Sequence, residues 1–266
     1  MKKVSSKIYF GIIMAFLYLP ILYLIIYSFN DGKTSVWKGF TLKWYEALFN
    51  DAQIMTSFYN TLIIALLASV IATVLGTAAA IGIYNFKGGY RSAIQNISNI
   101  PIVNPEIVTG VSLMLLFTFA GTLFGFEMGF VTVLLAHIGF CTPYVILSVT
   151  PRLRQMDNSI YEAALDLGCS PVQAFFKVVL HELMPGILSG LLISFTYSLD
   201  DFVITYFTRG SKFQTLPIQI YTMTHQRINP KANALSTLMF VIILLILCII
   251  NIKNKSEDKN LKKHKN

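Results

Sequence analysis

The sequence has 266 residues, of which 55% are hydrophobic and only 13% are charged, and its mean hydropathy is +0.62. Soluble domains carry about 25% charged residues, so this composition excludes an ordinary soluble protein and predicts an integral membrane protein. The net charge of +8 does not indicate nucleic-acid binding, because lysines cluster beside the first apolar run and near the carboxyl terminus. Such charges set membrane orientation near anionic lipid headgroups.

Six apolar segments predict an all-α membrane protein with six transmembrane helices. Each segment is close to the roughly 20 residues that a helix needs to cross a bilayer, and long apolar runs favour helices over a barrel. The first segment resembles a signal peptide, but no clean small-residue cleavage site follows, so we interpret it as an uncleaved span. The predicted spans are residues 8–29, 60–84, 100–120, 130–149, 187–207 and 234–252.

The distribution of basic residues predicts that both termini are cytoplasmic. With that orientation, two thirds of the 21 lysines and arginines lie in cytoplasmic segments, as the positive-inside rule requires. The chain then divides into a cytoplasmic tail at residues 1–7, a membrane domain at residues 8–252 and a basic cytoplasmic tail at residues 253–266. We expect external loops at residues 30–58 and 208–233, and a short basic loop at residues 87–95.

The first external loop is aromatic, with Trp37, Trp44 and Tyr45. Such side chains prefer the level of the lipid headgroups, which predicts an interfacial helix. The span that follows is rich in alanine and glycine, from Ala65 to Gly82. Small residues let helices approach closely in lipid, so we expect this span to pack against other helices.

Span three is interrupted near its start by Pro101, Pro105 and Gly110, and Glu106 lies among them. A broken helix at membrane depth is tolerated where it lines a cavity, and a carboxylate there is a functional candidate. The alternative is that Glu106 caps a helix start near the interface. In span four, His137 is more typical of one interhelical hydrogen bond than of a ligand site.

Span five carries Ser198, Asp200 and Asp201 in an otherwise apolar run. Each carboxylate costs roughly 2.5–3.5 kcal/mol at mid-depth, so water in a cavity, a cationic partner or a cationic substrate must offset that cost. Adjacent residues point about 100° apart on a helix, so at most one of them faces a given groove squarely. The alternative is that one of them caps a backbone break or pairs with Arg209.

An amphipathic insert at residues 158–185 separates spans four and five. Ile160, Ala163, Ala164 and Leu167 recur at the spacing of one apolar helix face. Gly168 ends that helix, and Ser170 with Pro171 begins a second one as the N-cap and the first-turn residue. The alternative for this insert is an ordinary loop in which Ser159 and Glu162 form a capping box.

The run Glu162-Ala163-Ala164, followed after three residues by Gly168, resembles the EAA loop of permease subunits of ABC importers. His181 stands where that motif usually has proline, and the proline comes at Pro185. Further stretches resemble the PotC-like permeases of spermidine/putrescine importers, with Glu106 where that family is expected to have aspartate. These stretches are Pro105-Glu106-Ile107-Val108, Ala136-His137-Ile138, Leu199-Asp200-Asp201 and Leu216-Pro217.

The resemblance implies a type I (MetI-like) ABC importer permease for polyamines. The implied partners are a second permease (PotB-like), an ATPase dimer (PotA-like) and an extracellular polyamine-binding protein (PotD-like). This chain would be a transport subunit without a cofactor, since it has no nucleotide-binding motif and ATP with Mg²⁺ would bind to the ATPase. The residues implied to couple to the ATPase are Glu162, Ala163, Ala164 and Gly168.

The acidic residues in the spans fit a polyamine on physical grounds, because a polycation needs carboxylates separated by apolar and aromatic surface. The predicted pathway residues are Glu106, Ser198, Asp200 and Asp201, with Trp44 at the outer mouth. One alternative is an importer of the same architecture for iron, phosphonate or another small cation. A stand-alone channel or a membrane enzyme is the other, although no H-E-x-x-H set is present.

Overall fold

The computed structural model describes residues 2–32, 36–226 and 230–245, and this part of the chain is almost wholly helical. A π-helical segment, Phe175–Val179, lies between α8 and α9. The helices are α1 (Lys2–Ser28), α2 (Lys43–Phe49), α3 (Ala52–Asn85), α4 (Gly89–Val103), α5 (Glu106–Phe124), α6 (Phe130–Gln155), α7 (Asn158–Asp166), α8 (Pro171–Ala174), α9 (Leu180–Asp200), α10 (Val203–Thr208), α11 (Leu216–Gln226) and α12 (Pro230–Leu245).

Five helical stretches in the described residues are long and apolar enough to cross a membrane. They are part of α1, the helices α3, α5 and α6, and the continuous stretch Pro171–Asp200. Helix α12 is apolar but shorter within the described residues. Residues 246–252 of the sixth predicted span and the predicted tail at 253–266 lie outside the described residues. The all-helical prediction is confirmed, whereas the count of six spans and the cytoplasmic termini stay predictions.

Two predicted loops contain helices instead. Helix α4 occupies most of the predicted basic loop at residues 87–95, and α11 lies in the predicted external loop at 208–233. In α4 the polar residues have partners, since Arg91 lies 4.6 Å from the ring centre of Tyr84 and Arg154 donates to Gln95 at 2.9 Å. In α11 threonine side chains donate back to the helix carbonyls. Polar helices of this kind lack the apolar signal of a span.

The chain forms two compact units, one made of residues 1–57 and 218–266 and the other of residues 58–217. In the first unit, the indole N–H of Trp44 donates to the carbonyl of Asn30 at 2.8 Å. Lys231 lies 3.4 Å from the carboxylate of Asp51 in the same unit. These contacts connect α1 with α2, and the start of α3 with α12.

In the second unit, α6 packs along α9 and against the end of α3. The core there consists of Ala80, Ile83, Val145, Ile146, Val149, Leu153, Val179 and Leu183. The prediction that α3 packs through small residues is confirmed, because Ala65, Ala68 and Ala72 are buried. A smaller core joins α5, α6 and α10 through Phe117, Ala136 and Ile204.

Span three is broken between α4 and α5, where Asn104 and Pro105 are extended. Pro105 lacks an N–H and disfavours a helical residue before it, which explains the break. Gly110 does not interrupt the helix, contrary to the sequence prediction. A Cβ atom at Gly110 would lie 2.8 Å from Cδ2 of Phe207, so this glycine allows α10 to approach α5.

Span five is also broken, and the predicted continuous helix at residues 187–207 is wrong. Helix α9 ends at Asp200, Asp201 is extended with φ −61° and ψ 123°, and α10 begins at Val203. The residues at this break include no proline or glycine. Side-chain hydrogen bonds described below take the place of the missing helical bonds.

The insert between α6 and α9 folds as its sequence predicts, and the alternative with a Ser159–Glu162 capping box is wrong. The N-cap of α7 is Asp157, which accepts from the backbone N–H of Ser159 at 2.9 Å, so no Ser159–Glu162 capping box starts this helix. Helix α7 ends at Asp166, and Gly168 follows its C-cap with a φ of +86°, which favours glycine. Ser170 then caps α8 in a reciprocal pair with Gln173, and Pro171 is its first residue.

A leucine at Gly110 is expected to destabilise the protein, because its side chain would overlap Phe207 at the contact between α5 and α10. Overpacking of this kind typically costs about 1–3 kcal/mol. The thermal unfolding midpoint of the detergent-purified Gly110→Leu variant should fall, and the second change Phe207→Ala should recover part of the loss. Gly139→Leu is the control, since a Cβ atom at Gly139 would have no packing neighbour from another helix within 4 Å. Equal midpoints for Gly110→Leu and Gly139→Leu would contradict the assigned packing.

The cap of α7 is expected to weaken at acidic pH. The hydrogen bond from the Ser159 N–H lowers the pKa of the Asp157 carboxyl below its ordinary value. A lowered pKa in the folded state means that the cap stabilises α7 at neutral pH and is lost as the pH falls through that pKa. Asp157→Ala should therefore speed hydrogen exchange of the α7 amides at neutral pH relative to Asp166→Ala. Identical neutral-pH exchange in the wild type and Asp157→Ala would refute the cap.

Candidate functional site

A cavity of about 240 Å³ lies in the second unit where the two broken spans meet. Both breaks contribute to its wall, because Asn104 from the first break and Asp201 from the second are among the lining residues. Four aromatic rings complete the lining. The lining residues are Pro101, Asn104, Glu106, Thr109, Phe140, Tyr144, Tyr197, Asp200, Asp201, Phe202, Val203 and Ile204.

Two exposed carboxylates face this cavity from opposite breaks. Glu106 is the first residue of α5, and Asp200 is the last residue of α9. Among the described residues that line the cavity there is no lysine, arginine or histidine. The cavity therefore carries uncompensated negative charge, which favours a cationic occupant. No group of three or more His, Cys, Asp or Glu side chains in the described residues is arranged to hold a metal ion.

Aromatic surface separates the two carboxylates from the apolar core. The rings of Tyr144 and Tyr197 stack with their centres 4.6 Å apart. The ring centres of Phe202 and Tyr206 lie 5.5 Å apart. Aromatic faces attract cations, by about 0.5–2 kcal/mol each. The sequence analysis did not identify Asn104, Tyr144 or Tyr197. Polar residues within apolar spans were the available signal, but only tertiary packing brings these three to one cavity.

Asp201 lies next to Asp200 in the chain but has different surroundings. Its side chain is only 6% exposed. It accepts hydrogen bonds from the backbone N–H groups of Ile204 and Thr205, at 3.2 and 2.8 Å, and from the Thr205 hydroxyl at 2.7 Å. Asp201 thus caps the break, as one sequence alternative proposed. Arg209, the other partner considered from the sequence, donates to the carbonyl of Phe213. The expectation that only one of the two carboxylates faces the groove squarely agrees with this geometry.

Ser198 lies behind the break and does not line the cavity. It is 3% exposed and its hydroxyl lies 2.7 Å from Nδ1 of His137. The other ring nitrogen, Nε2, lies 2.9 Å from the Thr205 hydroxyl and 3.4 Å from the Asp201 carboxylate. His137 therefore makes interhelical hydrogen bonds through both nitrogens, where the sequence interpretation favoured one.

The structure brings three of the five predicted pathway residues, Glu106, Asp200 and Asp201, to one cavity. Ser198 contacts that group only from the buried side, through His137. Trp44 belongs to the first unit, where it is held by Asn30 and where Lys43 Nζ lies 4.7 Å from its ring centre.

The four predicted coupling residues lie on and just after α7. Glu162, Ala163 and Gly168 are exposed, whereas Ala164 is buried. The apolar face that the sequence predicts remains largely exposed, because Leu167 is 87% accessible. Val172 and Phe176, in the next two helical segments, are exposed as well. This surface has the composition of a protein contact that the chain alone does not bury.

Comparisons with known proteins identify the family and the fold of this chain. The model of the family described as "Binding-protein-dependent transport system inner membrane component" matches residues 72–252. The putrescine transport system permease protein PotI of Escherichia coli (strain K12) is 42% identical over 229 residues, covering 84% of this chain and 81% of that protein. The spermidine/putrescine transport system permease protein PotC of Haemophilus influenzae is 37% identical and covers 90% of this chain and 91% of its own length.

Solved structures show the same fold at low sequence identity. A chain of a bacterial ABC transporter that imports the acidic polysaccharide alginate superposes with a TM-score of 0.74 at 14% identity, covering 94% of this chain and 95% of that one. A chain of the MetNI methionine ABC transporter gives a TM-score of 0.62 at 18% identity, covering 81% of this chain and 98% of that one. The predicted importer-permease fold is thereby confirmed. The protein is a multi-pass membrane protein that belongs to the family of binding-protein-dependent transport system inner membrane components.

Proposed function

We propose that this chain is a permease subunit of an ATP-driven importer of polyamines such as spermidine and putrescine. The observation that carries the proposal is the cavity with two exposed carboxylates, Glu106 and Asp200, and no cationic side chain in its described lining. The names of the relatives PotI and PotC support the same substrate class. We place the protein in the bacterial inner membrane, in agreement with its family.

The chemistry of the cavity suits a flexible polycation. Carboxylates at the two breaks neutralise ammonium groups, and the tyrosine and phenylalanine rings contact the methylene chain and attract the charges. A second permease (PotB-like) would supply the other half of the pathway. Trp44 is proposed to lie at the outer mouth. Binding should be weak, because a tight site would retain the substrate.

The exposed insert supports coupling to an ATPase. Glu162, Ala163, Ala164 and Gly168 would seat α7 in a cleft of an ATPase dimer (PotA-like), and docking would bury the accessible Leu167. ATP and Mg²⁺ would bind to that partner, and an extracellular polyamine-binding protein (PotD-like) would deliver the substrate. Closure of the ATPase would move the insert and open the cavity outward, and hydrolysis would return it inward.

Removing either exposed carboxylate should impair uptake. Glu106→Gln and Asp200→Asn each delete one charge that balances an ammonium group while nearly preserving side-chain shape. Uptake of radiolabelled putrescine and spermidine into proteoliposomes should fall by about tenfold or more, equivalent to about 1.4 kcal/mol. Glu127→Gln is the matched control, since Glu127 and its ion-pair partner Lys212 are both highly exposed. Normal polyamine uptake by both variants would exclude the proposed substrate site and favour another solute.

Loss of the coupling contact should separate ATP hydrolysis from uptake. Glu162→Ala removes an exposed charge from α7 without opening a core cavity, so the chain should still insert and reach the membrane. In the assembled transporter, we expect uptake to be lost and hydrolysis to lose its stimulation by the substrate-loaded binding protein. Capture of polyamine by that binding protein should not change. Glu127→Ala is the control, and full uptake by Glu162→Ala would remove the role given to the insert.

A further inference from the structure

We propose that His137 is a positioning residue that holds the break in span five and thereby directs Asp200 into the cavity. The inference rests on the proposed transport function, which it deepens by assigning different roles to the two adjacent aspartates. His137 is 1% exposed and is absent from the cavity lining, so it acts through other side chains.

The break creates a local requirement for hydrogen-bond acceptors. The first N–H groups of α10 have no intrahelical partner, and at membrane depth there is no bulk water to replace one. Asp201 satisfies the N–H groups of Ile204 and Thr205. Helix α10 has only six residues, which is too short to be stable without such contacts. The orientation of the chain at residue 200 therefore depends on where Asp201 is held.

The direction of the hydrogen bonds follows from the chemistry of the groups. The Thr205 hydroxyl has one hydrogen and donates it to Asp201 at 2.7 Å. Towards His137 the same oxygen must accept, so Nε2 carries a hydrogen and donates it at 2.9 Å. Nδ1 is then the acceptor in the neutral ring, and the Ser198 hydroxyl donates to it at 2.7 Å. One continuous chain of donors runs from Ser198 through His137 and Thr205 to Asp201.

This chain of hydrogen bonds crosses the break. Ser198 lies in the last turn of α9, Thr205 lies in α10, and His137 comes from α6, which packs along α9. A single imidazole ring therefore connects the two halves of span five to a third helix. Because Asp201 is held inward, Asp200 is the carboxylate that remains exposed to the cavity. In this assignment Asp200 contacts the substrate and Asp201 does not.

The test is a double-mutant cycle measured as polyamine uptake by the complete transporter in proteoliposomes. His137→Phe keeps the ring volume but removes the acceptor of the Ser198 hydroxyl and the N–H that donates to Thr205, while Thr205 keeps its hydrogen bond to Asp201. It should raise the apparent KM for putrescine by about tenfold, as expected when buried polar groups lose their partners. His137→Gln retains a donor and an acceptor and should recover most of that loss. Thr205→Val interrupts the same chain from α10 and should reproduce the effect of His137→Phe.

The cycle distinguishes positioning from a general structural defect. If His137 acts through Asp201, the double variant His137→Phe/Asp201→Asn should be no worse than Asp201→Asn alone. The variant His137→Phe/Glu106→Gln should instead show the product of the two single effects, since Glu106 lies on the other break. Multiplicative loss in the first pair, or normal uptake by both His137→Phe and Thr205→Val, would overturn the inference.

Failure of the proposed function gives a different result. If Glu106→Gln and Asp200→Asn both transport polyamines normally, the cavity is not the substrate site, and the positioning role falls with it. If those two variants are impaired while His137→Phe and Thr205→Val are normal, only the role of His137 is excluded. Co-purification of the partner subunits with each variant measures assembly. Equal impairment by His137→Phe and His137→Gln in fully assembled complexes would also contradict the hydrogen-bond argument.

Discussion

The structure depends on one constraint, which is that backbone polar groups freed within an apolar environment must find partners in the protein. Two spans are interrupted, one at Asn104–Pro105 and one at Asp201–Phe202, and together they open the cavity. At the first break, proline removes one donor, and the backbone N–H groups of Val108 and Thr109 donate to the Pro105 carbonyl. At the second break, the backbone N–H groups of Ile204 and Thr205 remain, and the buried carboxylate of Asp201 accepts hydrogen bonds from both. The polar character of the cavity therefore follows from the way in which each break is stabilised.

The two adjacent aspartates show how a costly pair of charges is tolerated in an apolar span. Asp201 is surrounded by hydrogen-bond donors from α6 and α10, which replace the water it has lost. Asp200 keeps its exposure to the cavity, where water or a cation can solvate it. A single carboxylate at this place would have to cap the break and also present its charge to the cavity. The division leaves Asp200 as the carboxylate that is exposed to the cavity, where it can make reversible contact with a passing cation.

Much of the fold could be predicted because its signals are local. Apolar run length gave five of the spans, and Gly168, Ser170 and Pro171 marked the ends of the helices in the insert. Helices α4 and α11 were missed because their polar residues resemble loops. In α4, Gln95 finds its partner Arg154 only through tertiary packing. The break at Asp201 contains no proline or glycine that would mark it in the sequence. It could not be predicted because the contacts that stabilise it come from His137, which is distant in the sequence. For the same reason the stacked pair Tyr144–Tyr197 could not be foreseen.

Helix α9 joins the two functional parts of the second unit. The π-helical segment Phe175–Val179 continues directly into α9, which ends at Asp200, so a continuous helical stretch runs from Pro171 in the insert to the cavity carboxylate. Each turn of a helix is hydrogen-bonded to the next, so a displacement at one end of this stretch would be carried towards the other end. The break follows immediately after Asp200, so α10 need not move with α9. A partner that moves the insert would therefore shift Asp200 relative to Glu106 on α5, and so change the separation of the two carboxylates that we propose to contact the substrate.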